Sequence, residues 1–537
     1  MNIALTGIGW RKQFAKDVIK RLGIIFNQTT SEDADMVFVC NYNQVSSDEI
    51  RYLVKNGKNV IFLQPEKDLL NVFGNELMYT YHFPLMQIEG HLPVTFLQVF
   101  PPVSLVKQKH GETIGLFALD FSSSGENYTT GYPAISWRKM GSGAIAMFFY
   151  DFISTLLLLL QGWEFFTEEG RLSRQFRTGI SRATHLADYL ILRQLCEIPQ
   201  GYFHEILLLK LIRTLLAGKN PVPRIWYYPY PDTTVFLLSG DSDNLEKHNL
   251  EKAWELIVNS GAEYTQYTMV DDIGLFSEKE LSQWKQKGID FELHYYAGPS
   301  PSSEEMLQHL VKAKKMFLSK KIKVDSCRGH SLIWTGWDKQ IKIMEKAGFL
   351  FSSNLLYWYP GISYGLPYYL YTNSGKSSVQ ELQIFVSDDV CLFNKSGLLP
   401  LTPPVYLKKI IAWLDINKDV YYQPFNPIFH PYYLVKQPST QEVLKQSIIH
   451  AKSSGIPIMN HRRFFSWWNK RGSMKLKYQL NDTCVEFSSA RTDAETGIAL
   501  PETWDGMKIT GGVKLQTTGE ILFPLNCRKI TYQKGEK

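Results

Sequence analysis

The sequence predicts a multidomain α/β protein: an N-terminal doubly wound parallel-sheet domain, a central distorted (β/α) barrel and a small β-rich C-terminal domain. Three observations lead there. Apolar runs alternate with helix-period segments at the start of the chain and again from Thr233 to His461, and such alternation implies right-handed crossovers between parallel strands. Between these stretches, Pro221-Val222-Pro223 stops a helical stripe and marks a boundary. After about Lys470 the helical period gives way to short alternating runs. A chain of 537 residues exceeds what one core usually holds, and the expected division is 1–165, a connector at 166–230, the barrel at 231–470 and the tail domain at 471–537.

In the first domain, strands are expected at Ile3 to Leu5, Met36 to Val39 and Val60 to Leu63, with helices at Phe14 to Leu22 and Asp48 to Val54. Gly7-Ile8-Gly9 follows the first strand but lacks the third glycine of a dinucleotide fingerprint, so no nucleotide site is expected. Short β-like runs fill Leu92 to Tyr150. The apolar run Ala144 to Leu160 is nearly long enough to span a bilayer. Asp151 in its middle and Gly141-Ser142-Gly143 before it favour a buried strand feeding a buried helix, so no transmembrane anchor is expected. This region resembles the non-catalytic glutamine-amidotransferase-like domain that precedes some deacetylase-like domains. The strand Val60 to Leu63 runs into Gln64-Pro65 where an active amidotransferase carries its cysteine nucleophile, so no chemistry is expected here.

The connector carries a helical stripe at Leu207, Leu208, Leu211 and Leu215. In the barrel region, strands are expected at Val235 to Leu238, Tyr264 to Met269, Phe291 to Leu293, Phe349 to Ser352, Pro427 to Phe429 and Ile456 to Met459. Helical patterns fall at Glu246 to Val258, Glu278 to Lys285, Glu304 to Leu318, Trp337 to Lys346 and Gln441 to Lys452.

Composition narrows the function classes. Hydrophobic residues at 44% and charged residues at 20% mark a folded chain and argue against extended disorder. A net charge of +6, spread along the chain, gives no nucleic-acid footprint. The six cysteines are far apart and form no Cys-x-x-Cys pair, so reduced, mostly buried thiols are expected. The N-terminus Met-Asn-Ile-Ala-Leu-Thr-Gly-Ile-Gly-Trp-Arg-Lys puts its apolar run before its charges, the reverse of a secretory signal, and a cytoplasmic location is the expectation.

In a barrel, functional side chains project from the carboxyl ends of strands. The first such end is Ser239-Gly240-Asp241-Ser242-Asp243-Asn244, where one carboxylate suits a metal and the other a base; Asp243 or Asn244 equally suits capping the helix that follows. Glu292-Leu293-His294 puts an imidazole after a buried strand, as a ligand, a proton carrier or a satisfied core histidine. Cys327-Arg328-Gly329-His330 pairs a guanidinium with an imidazole, which suits orienting a carboxylate base or holding the barrel rim. His430 closes the apolar run Pro427 to Phe429. Paired aspartates with two or three such histidines fit a mononuclear zinc site with an open position.

These blocks, in this order, resemble polysaccharide deacetylases of the nodulation type. They are closer still to a divergent branch whose first motif reads Thr-Gly-Asp-Asp-His and whose third reads Arg-x-His-Cys. Here the motifs stand as Ser239-Gly240-Asp241-Ser242-Asp243, Glu292-Leu293-His294 and Arg328-Gly329-His330-Ser331, flanked by Pro223 to Pro229 and Gly455-Ile456-Pro457. Two departures stand out: Ser242 occupies the place of a ligating aspartate, and Gly298 that of a second histidine. The resemblance implies a metal-dependent hydrolase that removes an N-acetyl group from a sugar or polysaccharide. It implies Asp241 as base, Arg328 orienting it and His330 in the catalytic set; a divalent metal, zinc by preference, on Asp243, His294 and His430; and a sugar cleft or a packed core at Trp334, Trp337 and Trp358. The alternative is a catalytically degenerate barrel that binds a glycan or scaffolds partners.

Overall fold

The structure is a computed structural model that describes residues 1–41, 45–64, 70, 75–81, 85–88, 90, 92–100, 102–121, 127–162, 192–298, 301–334, 337–355, 364–385, 389–393, 401–489 and 494–534. The chain is mixed α/β and packs as two compact units. One comprises Met1–Leu160, Gln200–Pro231 and Arg471–Lys537; the other comprises Gln161–Pro199 and Asp232–Lys470. Among the described residues no helix is long and apolar enough to cross a membrane.

The first unit is built on a nine-stranded mixed sheet. Asn2–Thr6, Met36–Val39 and Asn59–Phe62 pair in parallel, as the opening alternation predicts, and Gly143–Phe148 extends the parallel set. From Gly143–Phe148 onward the sheet turns antiparallel through Asn127–Met140, Glu112–Phe121, Leu85–Gln87 and Phe96–Gln98. The apolar run after Gly143 is a buried strand followed by the helix Phe152–Gln161. Asp151 sits just before that helix, where its carboxylate accepts from the Ser154 N–H at 3.0 Å and pairs with Arg11 at 2.6 Å. The charge that breaks the apolar run is thus a helix cap with an ion-pair partner.

In the same unit, Arg224–Pro229 is a strand that joins Thr496–Pro501, Glu520–Pro524 and Val513–Leu515 in one antiparallel sheet. Its register is fixed by charge as well as by packing. The fully buried Arg224 donates from Nε to Glu520 Oε1 at 2.8 Å and from Nη2 to Oε2 at 2.5 Å, and Arg213 reaches the same carboxylate. Burial alone would raise the Glu520 carboxyl; the two guanidiniums outweigh it and hold the group down at about 2.

The second unit carries a seven-stranded sheet. Ser239–Asp241, Tyr264–Thr268, Ile289–Tyr295, Ser326–Gly329, Phe351–Ser352 and Gly375–Glu381 run in parallel, and Tyr368–Thr372 closes the edge as a hairpin with the last of these. Beyond Ser239 the pairing continues: Phe236–Leu237 pairs with Ile458–Met459, and single bridges join Phe236 to Phe425 and Ser239 to Ile428. Phe385 and Asp389 in turn donate their N–H groups to the Asn426 and Ile428 carbonyls, at 2.9 and 3.3 Å.

Local chemistry explains the helices between these strands. Ser277 with Glu280 and Ser302 with Glu305 form complete capping boxes at the starts of Glu278–Gln286 and Ser303–Ser319. Leu281 and Trp284 of the first, and Met306, Leu310, Ala313 and Phe317 of the second, face inward. Gly240 is required by closeness alone, since a Cβ there would lie 1.9 Å from the Phe429 carbonyl oxygen and 2.0 Å from the Tyr264 hydroxyl.

Candidate metal centre

Parallel pairing aligns the carboxyl ends of Ser239–Asp241, Tyr264–Thr268, Ile289–Tyr295 and Ser326–Gly329, and His294, next to the end of its strand, converges with Asp243 and His330 just past the ends of theirs. His294 Nε2 lies 3.1 Å and His330 Nδ1 lies 3.0 Å from the same atom, Asp243 Oδ1. These three ligand atoms lie within 4.8 Å of one another. His430 Nε2 is 3.6 Å from Asp243 Oδ2, just outside that triad.

Asp243 does not cap the following helix. Lys247–Asn259 starts four residues later with Glu246 as N-cap and no side-chain cap bond. The Asp243 carboxylate is aimed by backbone that few side chains tolerate, with φ +49° at Asp243 and +59° at Asn244. Ser331 and Leu332, directly after His330, are left-handed too, at φ +52° and +55°. Strained pairs of this kind persist where the surroundings over-determine them.

The donor set fits a divalent cation. His294 is buried, and its Nδ1–H donates to the Arg328 carbonyl at 3.1 Å. In a neutral ring Nε2 is then a bare lone pair, and it faces a carboxylate oxygen. Two acceptors at that distance require a positive charge between or on them, either a second proton on the imidazole or a metal ion. The protonated solution is visible in the electrostatics. Burial pushes the His294 imidazole down, but Asp241 and the hydrogen bond and charge of Asp243 outweigh it and leave its pKa above the ordinary value. Burial likewise raises Asp243, while the histidines around it drive it well below the usual carboxylate range. One carboxylate and two imidazoles, partly open to solvent on the Asp243 side, make a set that zinc accepts readily.

Two further groups flank the triad. On one side, Asp241 accepts at Oδ1 from Arg328 Nη1 at 2.9 Å, while its Oδ2 is 3.9 Å from His294 Nδ1. Arg328 is fully buried and is itself fixed: Nε donates to the Ser353 carbonyl, Nη2 donates to the Ser239 and Ser353 hydroxyls, and the guanidinium lies 4.0 Å over the Tyr267 ring. On the other side, His430 Nδ1 donates to the buried Asp389 at 2.6 Å, which turns Nε2 toward Asp243.

The sequence reading thus brings Asp241, Asp243, His294, Arg328, His330 and His430 to one place, with His330 and not His430 inside the tightest cluster. Trp334 and Trp337 are buried, with their indole N–H groups donating to the Trp337 and Gly162 carbonyls; Trp358 lies outside the described residues. Sequence reasoning missed Asp389, although Ser387-Asp388-Asp389 follows the apolar run Ile384 to Val386 with the same signature that drew attention to Asp241. It also missed Tyr296, 42% exposed, which packs edge-on against His330 with ring centroids 5.2 Å apart.

No family model and no curated protein matches the chain. Among solved structures it is similar to Agd3, described as a novel carbohydrate deacetylase, at 8% identity over 99% of this chain and 97% of that one, with a TM-score of 0.38. It is also similar to a family 4 carbohydrate esterase from Streptomyces lividans in complex with acetate (8% identity, 42% of this chain, 92% of that one, TM-score 0.29). A third is BA3943 from Bacillus anthracis, a CE4 family pseudoenzyme (16% identity, 44% of this chain, 67% of that one, TM-score 0.28).

Proposed function

We propose that residues 231–470 form a distorted (β/α) barrel whose strand ends carry a metal-dependent hydrolase site, and that its reaction removes an N-acetyl group from a sugar or polysaccharide. The observation that carries the reading is the convergence of His294 Nε2 and His330 Nδ1 on one oxygen of Asp243, flanked by one arginine-held carboxylate and one carboxylate-held histidine. The sugar substrate rests on the resemblance of the strand-end motifs to polysaccharide deacetylases.

Asp243, His294 and His330 would hold a divalent cation, zinc from the ligand chemistry, and such an ion would supply the Lewis acidity that polarises the acetyl carbonyl and acidifies the attacking water. Asp241 takes the proton of that water at Oδ2, the oxygen that Arg328 leaves open. Arg328 acts through Asp241, fixing its orientation. His430 delivers a proton from Nε2 to the departing nitrogen, since Asp389 holds Nδ1–H and so sets the tautomer and stabilises the imidazolium. In this assignment His330 and His430 exchange the roles that the motif resemblance implies, because it is His330 whose nitrogen lies with those of Asp243 and His294.

A second reading keeps the barrel as a glycan-binding or scaffold module. It is favoured by Ser242 and Gly298 at two positions where the motif calls for ligands, and a protonated His294 satisfies the site without metal. Acetate release from N-acetylglucosamine oligomers separates the two. The hydrolase reading expects release by zinc-loaded protein, abolished by a chelator, and reduced in kcat by at least about 100-fold in His430→Ala with zinc still bound. Glycan binding without acetate release on any N-acetylated oligomer supports the module and refutes the hydrolase.

A further inference from the structure

The two-residue left-handed turn at Asp243 and Asn244 has no helix cap to hold it. It is held by a carboxylate outside the metal cluster. Asp272, 3% exposed in the first turn of Val270–Gly274, accepts at Oδ2 from the Ser242 hydroxyl and from the Asn244 N–H, the latter at 3.2 Å. The two bonds bracket Asp243 on both sides along the chain. The Ser242 hydroxyl is itself located by the Met269 N–H at 3.0 Å, and the Ser242 N–H donates to the Tyr267 carbonyl at 3.0 Å.

We propose that Asp272 is a positioning residue for the metal centre. By pinning residues 242 and 244 to the neighbouring strand's loop, it imposes the left-handed backbone that turns the Asp243 carboxylate toward His294 and His330. Ser242 then acquires a role of its own. Where the resembling motif has a ligating carboxylate, this chain has a hydroxyl that ties the turn to Asp272, and Asp243 supplies the ligand from one position further on. This inference rests on the metal-centre reading above.

The test is zinc affinity of the full-length protein by calorimetry, with cobalt(II) absorption as the signature of ligand geometry and circular dichroism to follow folding. Asp272→Ala and Ser242→Ala each weaken zinc binding by about 10–100-fold, the range for loss of a group that orients a ligand. Asp272→Asn, which keeps an acceptor oxygen, recovers most of the loss. In Asp272→Ala/Asn244→Gly, glycine adopts the left-handed turn at no steric cost and regains about tenfold or more of what Asp272→Ala lost. Zinc binding of wild-type strength in folded Asp272→Ala and Ser242→Ala, or no recovery with glycine, overturns the positioning role and leaves the metal centre standing. Failure of the wild-type protein to bind zinc or cobalt overturns the metal centre and this inference together.

Discussion

Replacing Arg328 by alanine removes the buried cation paired with the Asp241 carboxylate. The guanidinium is fully buried and makes four hydrogen bonds: one to the Asp241 carboxylate at 2.9 Å, and others to Ser239 Oγ, Ser353 Oγ and the Ser353 carbonyl at 3.0 to 3.1 Å. A charge-assisted bond of this kind contributes about 1.5–3 kcal/mol and each neutral one about 1 kcal/mol, and the uncompensated carboxylate left behind adds its own cost. Breaking a buried pair by removing one partner costs about 3–5 kcal/mol, so Arg328→Ala is expected to destabilise the protein by that amount. Arg328→Lys keeps a charge near Asp241 but loses the planar fork, and about half the loss is expected. Urea unfolding measures both, and a double-mutant cycle with Asp241→Asn isolates the pair, with an expected coupling of at least about 1.5 kcal/mol. Arg328→Ala within about 1 kcal/mol of wild type would refute the reasoning.

Three other perturbations test separate parts of the account. Gly240→Ala drives a methyl group into the space held by the Phe429 carbonyl and the Tyr264 hydroxyl; it should cost at least about 2–3 kcal/mol and weaken zinc binding by displacing Asp241 and Asp243, measured by unfolding and calorimetry. His204 is buried between the Tyr150 hydroxyl and the Gln98 carbonyl, and burial pushes its pKa down to about 4. Between pH 6.5 and 4 the unfolded chain therefore binds the extra proton and the folded one does not. Stability contributed by the neutral ring is full above pH 6.5 and falls by about 3 kcal/mol toward pH 4, a slope that His204→Gln should flatten in unfolding curves at pH 4.5 and 7. Glu520→Ala leaves Arg224 buried without its carboxylate and should destabilise the first unit by about 3–5 kcal/mol; an unchanged unfolding midpoint would show that the pair contributes nothing net.

What the sequence made legible follows from where periodicity ends. Parallel strands buried on both faces read as short apolar runs, so a polar residue closing such a run stands out, and Asp241, His294 and His430 were visible that way, whereas Arg328 stood out only as a guanidinium beside an imidazole. The helices with strong caps, such as Ser303–Ser319, lay within a residue or two of their expected bounds. The helix Pro403–Ile416 and the hairpin of Tyr368–Thr372 with Gly375–Glu381 went unread, because the first carries apolar residues around much of its circumference and the second lacks a two-residue turn signal. That His330, and not His430, would stand beside Asp243 Oδ1 and His294 was not legible at all. It depends on the left-handed turn after His330 and on Asp389, 41 residues from His430, and no spacing rule contains either. Nor does a sequence distinguish an indole that lines a cleft from one whose N–H is used internally, as in Trp334 and Trp337.

Zinc titration of chelator-stripped full-length protein, beside Asp243→Ala, His294→Ala, His330→Ala and His430→Ala, decides whether Asp243, His294 and His330 hold a metal ion. About one zinc per chain is expected in wild type, lost or weakened at least about 100-fold in the first three variants and largely retained in His430→Ala. Zinc lost in His430→Ala but kept in His330→Ala would contradict the assignment of ligands, and no zinc in wild type would contradict the metal centre itself.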